Sequence, residues 1–320
     1  MNKDKVVICG FGKIGLIHAQ KFMEMDIPLN VIETNEKRQE LAKGMGLKVY
    51  SSMQDLPYDD YVFDICLPNT LHLDWVKKAV DWGSNKVILE KPATTSLEEL
   101  EDLEKIVEEN QVRLVVNENY LYSHITAKVL DIVNKYGIKP NKVYSDFSKN
   151  RMADFHKKRG HHLRHPHITE MEVPHQISMM LLLLRPHSCS PEVMIDSIDV
   201  DNPYFLQTDI RFDDKYWLDL RSDLKREGIC RELVISDGEY RVYADYCSYA
   251  FEIAKPKPGL VQLWKNNRLL ESHDIYDDNM NISLRTLYDA LCNDDNCIIE
   301  PNMDLVKKTT KIISRLNNYI

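Results

Sequence analysis

Gly10-Phe11-Gly12-Lys13-Ile14-Gly15 constrains the fold of this chain more than any other stretch. It follows Val6-Val7-Ile8-Cys9, an apolar run of the kind that forms a strand buried on both faces of a parallel sheet. It leads into a segment with Ile14, Ile17, Phe22 and Met25 at near-helical spacing. Strand, glycine-rich turn and helix in that order give Gly-x-Gly-x-x-Gly its meaning. The first glycine permits the tight turn, the second lets a pyrophosphate approach the main chain, and the third lets helix lie close on strand. Main-chain N–H groups at the helix start would then hold phosphates. The stretch predicts a nucleotide-binding strand–helix–strand unit at the N-terminus.

Leu29-Asn30-Val31-Ile32 predicts a second strand ending at Glu33, spaced from Gly15 as suits an acid that accepts hydrogen bonds from an adenosine ribose. A carboxylate there repels a 2′-phosphate, so NAD is expected over NADP. Lys37 and Arg38 keep NADP open, or else they are exposed charges on a helix over 35–43. Further strands are predicted at 61–67, 86–90 and 112–116, with helices between them, including one over 96–109. This alternation argues a doubly wound parallel sheet. Pro68-Asn69-Thr70-Leu71-His72, Glu90-Lys91-Pro92 and Asn117-Glu118-Asn119-Tyr120 then fall on its carboxyl edge, where ligands lie. Lys91 could donate a hydrogen bond to a substrate hydroxyl or carbonyl, or simply pair with Glu90. Asn69 reads as a helix cap or a cofactor contact, and His72 as an exposed first-turn residue or a group near the nicotinamide.

With 320 residues there is chain enough for two domains with sizeable cores. The net charge of −9 argues against a general nucleic-acid binder. Seven irregularly spaced cysteines, two of them in apolar strand-like runs, suit a reducing cytoplasm better than a disulfide framework. The longest strongly apolar run, 177–184, is too short to span a bilayer, and no signal-peptide apolar region opens the chain. A cytoplasmic protein bound to neither membrane nor nucleic acid is expected.

The glycine motif, then Pro68-Asn69-Thr70-Leu71-His72, then Glu90-Lys91-Pro92 together resemble the glucose–fructose oxidoreductase / inositol dehydrogenase (Gfo/Idh/MocA) family. The order and spacing of the three are far more specific than the glycines alone. The resemblance implies an N-terminal Rossmann domain, residues 1–121, and a C-terminal α/β domain with a large, mostly antiparallel sheet, residues 122–320. It implies hydride transfer between nicotinamide and a sugar-like alcohol carbon, with Lys91 a catalytic lysine and Asn69 and His72 at the nicotinamide end. It also implies subunit association through the broad sheet, as a homodimer or homotetramer.

Beyond residue 122 the likeness is one of pattern. A helix over 123–136 and a strand over 142–148 are predicted. The family then has Asp-x-x-x-His at a helix start; here His175 fits the histidine and Met171 stands in place of the aspartate. Glu172 or Glu170 would take over its orienting or substrate-binding role. His175 is accordingly expected as general base, with Lys91 holding the reacting oxygen. A histidine merely satisfied at a helix start is the alternative. Extended segments follow at 194–200, 204–212, 216–221, 230–235, 240–246 and 260–264, and helices at 282–292 and 304–318.

Residues 149–167 carry six basic residues against one acid, and five of the eleven histidines. A solvated loop, a metal site and an anion-binding loop over the substrate compete. The crowded histidines follow no known ligand spacing, and nicotinamide redox needs no metal, so none is expected. The anion reading gives Arg151 and Arg164, with Asn119, Tyr120 and Glu172, as substrate contacts. The expected activity is an NAD-dependent dehydrogenase of a sugar, cyclitol or related polyol carrying an anionic group. A non-catalytic NAD-binding sensor of the same fold, or a reductase of another carbonyl or an imine, are the alternatives.

Overall fold

Five apolar runs of the first 120 residues become parallel strands and Lys48–Tyr50, not predicted from the sequence, adds a sixth: β1 (Lys5–Cys9), β2 (Leu29–Ile32), β3 (Lys48–Tyr50), β4 (Tyr61–Ile65), β5 (Lys86–Glu90) and β6 (Arg113–Asn117). The computed structural model describes residues 4–152, 167–184, 193–201, 204–212, 215–247 and 258–319. Strand order is β3-β2-β1-β4-β5-β6, so the chain reverses its direction of progress at β1 and β4. Ligands of such sheets lie outside the carboxyl ends of the strands at that reversal. Helices α1 (Lys13–Glu24), α2 (Glu36–Gly44), α3 (His72–Trp82) and α4 (Leu97–Glu109) connect the strands. Local chemistry sets their limits. The Asn35 side chain accepts from the Arg38 N–H to open α2, and Ser96 accepts from Glu99 N–H to open α4. The Glu99 carboxylate reaches back to the N–H and hydroxyl of Thr95 at 2.6 Å. Gly83, at φ +106°, ends α3 in the left-handed conformation.

Two compact units result: Met1–Glu118 with Met280–Thr310, and Asn119–Asn279 with Lys311–Ile320. A division of the sequence at residue 121 puts 280–310 in the second domain, whereas the chain returns to pack this segment with the first unit. The cause is apolar and polar at once. Met303 and Val306 join the core that includes Val87, Leu89, Leu114 and Val116. Asn302, buried, accepts from the Val116 N–H at 2.8 Å and donates to the Val116 carbonyl at 3.0 Å. Those are main-chain groups on the free side of β6, an edge strand, and edges of this kind need cover. The helices carrying the segment are α8 (Asn279–Asn293) and α9 (Asn296–Asn317). The second begins eight residues earlier than its sequence suggests, with Pro301 inside it.

The second unit holds α5 (His124–Tyr136), α6 (Ile168–Met171), α7 (Val173–Leu184) and eight strands, β7 (Lys142–Lys149), β8 (Val193–Asp201), β9 (Phe205–Phe212), β10 (Tyr216–Asp223), β11 (Ile229–Ser236), β12 (Tyr240–Asp245), β13 (Gly259–Lys265) and β14 (Arg268–Ile275). Their order is β14-β13-β12-β11-β7-β10-β9-β8, antiparallel except for the β7–β10 pair. This is the large, mostly antiparallel sheet expected. Alternate residues of β9 and β10 are buried, as one covered face requires. Every residue of α7 but Leu182 is buried. Strand β14 was not foreseen: at the sheet edge its residues are mostly exposed, and the sequence lacks an apolar alternation. Its turn was the readable sign, since Asn266 and Asn267 both take positive φ, +47° and +64°, in a two-residue hairpin.

Candidate active site

Within the first unit the glycine motif folds as its spacing demands. Gly10 has φ +93°, and a Cβ on it would press on the Leu67 side chain at 2.7 Å and the Cys66 carbonyl at 3.2 Å. A Cβ on Gly15 would lie 2.0 Å from the Gly10 carbonyl oxygen, so α1 rests directly on the turn that feeds it. Gly12 differs. A Cβ there would have no neighbour nearer than Arg38 Nη1, 3.9 Å away, and the helix it opens has neither a side-chain cap nor an acid in its first turn. Open space over uncapped N–H groups is what a pyrophosphate needs. The dinucleotide therefore fits this turn, with Phe11, Lys13 and Ile14 as the residues around it.

Glu33, just past β2, is only 6 % exposed. Its carboxylate accepts from the Phe11 N–H at one oxygen and from the Thr34 and Asn35 N–H groups at the other, each at 2.8 Å. Three of about four lone-pair positions are thus filled by main chain. Glu33 braces the glycine turn against β2, and one acceptor position is left for a ribose hydroxyl. Arg38 Nη1 stands 3.6 Å from the same carboxylate. That guanidinium softens the repulsion a 2′-phosphate would meet.

On the next strands, Pro68 precedes a short turn in which Asn69, buried, accepts from the Thr70 N–H at 3.0 Å. His72 is not the exposed first-turn residue its sequence allowed, but 1 % exposed. Its Nδ1 lies 2.9 Å from the Pro92 carbonyl and its Nε2 2.9 Å from the Leu67 carbonyl. Burial pushes its pKa down, against the pull of those carbonyls, so the neutral ring donates to one of the two. His72 thereby links the ends of β4 and β5. Pro92 follows Lys91, which is half-buried and joined to it by a cis peptide bond.

Glu90, the last residue of β5, is buried and accepts from Asn117 Nδ2 at 2.8 Å. It also lies 3.2 Å from Nε2 of His18, a fully buried residue of α1. The other ring nitrogen of His18 meets Asp64 Oδ2 at 2.8 Å and Cys66 Sγ at 3.2 Å. Sequence reasoning passed over His18, Asp64 and Cys66. A sign was present: Asp64 is the one acid in the apolar run 61–67, and His18 shares the buried face of α1 with Ile17 and Phe22. Among the described residues, His18, Asp64 and Cys66 are also the one group of such side chains whose ligand atoms converge within 4.8 Å. Both ring nitrogens face carboxylates, which suits a protonated ring.

In the second unit, Asn119 is buried and donates to Asn279 at 3.2 Å. The Tyr120 hydroxyl accepts from Arg231 Nε at 3.2 Å, and burial raises its pKa. Its ring meets Phe147, Tyr246 and His175 edge-on, the last at 5.0 Å between centroids. His175 lies in the first turn of α7, 7 % exposed, and Tyr120 flanks its ring. Glu172, 1 % exposed, is held by two guanidinium groups. Arg151 reaches one oxygen with Nε at 2.8 Å and Nη2 at 2.6 Å, and Arg231 Nη2 reaches the other at 3.0 Å. Arg231, on β11, gave no sign in the sequence. Met171 is buried beside them in the chain, and Glu170 is half-exposed. Arg164 and most of the histidine-rich stretch lie outside the described residues.

Residues 5–118 match the model of the GFO_IDH_MocA family, described as an oxidoreductase family with an NAD-binding Rossmann fold. Over the whole chain the fold is similar to that of UDP-N-acetylglucosamine 3-dehydrogenase GnnA from Acidithiobacillus ferrooxidans, with a TM-score of 0.80 at 15 % identity, covering 100 % of this chain and 98 % of that one. It is also similar to KijD10, a 3-ketoreductase from Actinomadura kijaniata solved with NADP and TDP-benzene, with a TM-score of 0.77 at 14 % identity over 99 % of this chain and 98 % of that one. A stretch of 78 residues is 38 % identical to the uncharacterized protein YMR315W of Saccharomyces cerevisiae, covering 23 % of this chain and only 22 % of that protein. No helix among the described residues is long and apolar enough to cross a membrane.

Proposed function

We propose that this chain, whose residues 5–118 match the Gfo/Idh/MocA oxidoreductase model, moves a hydride between a nicotinamide dinucleotide and a hydroxyl-bearing carbon of a sugar or cyclitol carrying an anionic group. The observation that carries this reading is the end of β5. Glu90 is buried there and tied to His18 and Asn117, and the next residue is a half-buried lysine. The glycine turn opens from β1 of the same sheet. The dinucleotide would be held by the main chain of Gly10 to Gly15 and by Glu33, and when bound it supplies the hydride donor or acceptor. NAD is preferred to NADP because the buried Glu33 carboxylate opposes a 2′-phosphate, although Arg38 narrows the margin.

Lys91 donates a hydrogen bond to the reacting oxygen and stabilises the negative charge that develops as its proton leaves. His175 serves as general base, its ring flanked by Tyr120. Glu172, already held by Arg151 and Arg231, orders the start of α7. Because two of the three Arg151 guanidinium nitrogens, Nε and Nη2, go to Glu172, an anionic substituent would call on further donors of this stretch besides Arg151. GnnA is named for UDP-N-acetylglucosamine, and KijD10 was solved with TDP-benzene. Nucleotide-linked sugars carry the anionic group expected here, so they are the first class to test. Association as a homodimer or homotetramer through the broad sheet belongs to the same reading.

The test follows NADH absorbance over nucleotide-linked sugars, sugar phosphates, uronic acids and inositols. On the substrate found, Lys91→Ala and His175→Ala each lower kcat by about 10²-fold or more, with NADH affinity little changed. Wild-type kcat in either variant removes that residue from the reaction. Failure to bind either dinucleotide overturns the whole reading.

A further inference from the structure

Four polar side chains from four elements meet beneath the carboxyl edge of the first sheet. His18 comes from α1, Asp64 from β4, Glu90 from β5 and Asn117 from β6, and three of the four are at most 1 % exposed. Asp64 Oδ2 is 2.8 Å from one ring nitrogen of His18, and Glu90 Oε1 is 3.2 Å from the other. Asn117 Nδ2 spans the second side, 2.8 Å from Glu90 and 3.3 Å from the ring. A neutral imidazole has one N–H and could serve only one of the two buried acids. The other would then face a lone pair, and a buried carboxylate so placed is costly. Protonated, the ring donates at both ends.

We propose that His18 is a positioning residue for Lys91: a buried imidazolium that joins Asp64 to Glu90, keeps Glu90 ionised, and thereby sets the place and charge of the lysine that follows. This rests on Lys91 being the group at the reacting oxygen. The charges sum to a neutral set, with Asp64 and Glu90 against His18 and Lys91. Cys66, after β4, lies 3.2 Å from the ring, and Cys9, on β1, also interacts with Asp64; burial raises both thiols, so neither carries charge near neutrality. Met280 of α8 contributes only its sulfur, to Asn117. Burial opposes charge on His18, yet the Asp64 carboxylate at its Nδ1 holds its pKa well above the ordinary histidine range. Burial likewise opposes charge on Glu90, and His18, Asn117 and Lys91 together hold its pKa down.

The location gives the arrangement its consequence. His18 is three residues past Gly15, on the helix whose first turn faces the phosphates. One rigid residue therefore connects the dinucleotide-binding helix to the strand end that presents the lysine.

Two readouts test this without any substrate, so they stand apart from the search for an activity. The first uses unmodified protein with ¹⁵N-labelled histidine. The resonance assigned to His18 by contact with the Asn117 side-chain amide should show an imidazolium with two N–H groups at pH 8, where free histidines are neutral. A neutral His18 there overturns the proposal. So does a stoichiometric zinc ion removable by chelator, since metal would need the Nδ1 lone pair. The second is competitive acetylation of lysines across pH, read by mass spectrometry at Lys91. Glu90→Gln removes the anion beside Lys91 and lowers its apparent pKa by about half a unit or more; His18→Gln lets Glu90 take up a proton and lowers it too, while the double variant falls no further than Glu90→Gln alone. Loosened packing would expose Lys91 and raise its pKa in His18→Gln; a rise or no change there, or a further fall in the double variant, refutes the assignment. Turnover with a neutral His18 would leave the proposed function intact and discard this inference alone.

Discussion

Removing the carboxylate of Glu172 should destabilise the protein far more than a surface acid would. Glu172 is 1 % exposed and is the counter-charge of Arg231, itself 5 % exposed, and of Arg151. Truncating one partner of a buried pair leaves an uncompensated charge and typically costs about 3–5 kcal/mol. The lower end applies here. Arg231 keeps the Tyr120 hydroxyl as acceptor for Nε, and the Ser148 and Cys230 carbonyls for Nη1. At about 3 kcal/mol, and about 2–4 °C of melting temperature per kcal/mol for a chain of this size, Glu172→Ala should melt about 6–12 °C below the wild type. Glu172→Gln keeps the shape and one acceptor oxygen, and should lose about half as much. Differential scanning calorimetry measures both. A Glu172→Ala protein melting within 2 °C of the wild type would show that the two guanidinium groups do not depend on this carboxylate, and would return Glu172 to the substrate.

Gly15→Ala, which sets a Cβ 2.0 Å from the Gly10 carbonyl oxygen, should cost about 3 kcal/mol in denaturant unfolding. Gly12→Ala should unfold like the wild type yet bind NADH at least about tenfold more weakly, because only the pyrophosphate needs that space. NADH should bind more than about tenfold tighter than NADPH in fluorescence titration, and Glu33→Ser should narrow that ratio; equal affinities in the wild type would remove the 2′-phosphate argument. His18, with its folded pKa raised, adds stability that is complete below its unfolded value of about 6.5 and is lost as pH rises through the folded value. Melting temperature should accordingly fall as pH rises above about 6.5, and fall less in His18→Gln.

What could be read from the sequence was what neighbours in the chain decide. The glycine turn, the helix over 96–109 and the apolar strands each settle their conformation within a few residues, and each forms as read. What could not be read depends on partners brought close by topology. Asp64, Glu90 and Asn117 come from three adjacent strands, and only the parallel order β4-β5-β6 lines them up under His18. Arg231 becomes relevant to Glu172 only because β11 pairs with β7, whose last residue is followed closely by Arg151. The segment 280–310 was assigned by its place in the chain, while its packing follows from Asn302 and the open side of β6.

The same distinction bears on the departure at Met171. A sequence pattern with Met171 where the family has an aspartate invites the nearest acid to replace it, and Glu172 is one residue away. On a helix one residue is a turn of about 100°, so Glu172 cannot present its carboxylate where a residue-171 side chain would. It meets Arg151 and Arg231 instead, while Met171 is 6 % exposed. The Glu172 carboxylate is thus paired with two guanidinium groups, and the polar aromatic group that flanks His175 is Tyr120. The Tyr120 ring, edge-on to His175 at 5.0 Å between centroids, helps to orient the imidazole. Tyr120→Leu should then disturb kcat more than Glu172→Gln does, once each is compared at equal distance below its own melting temperature.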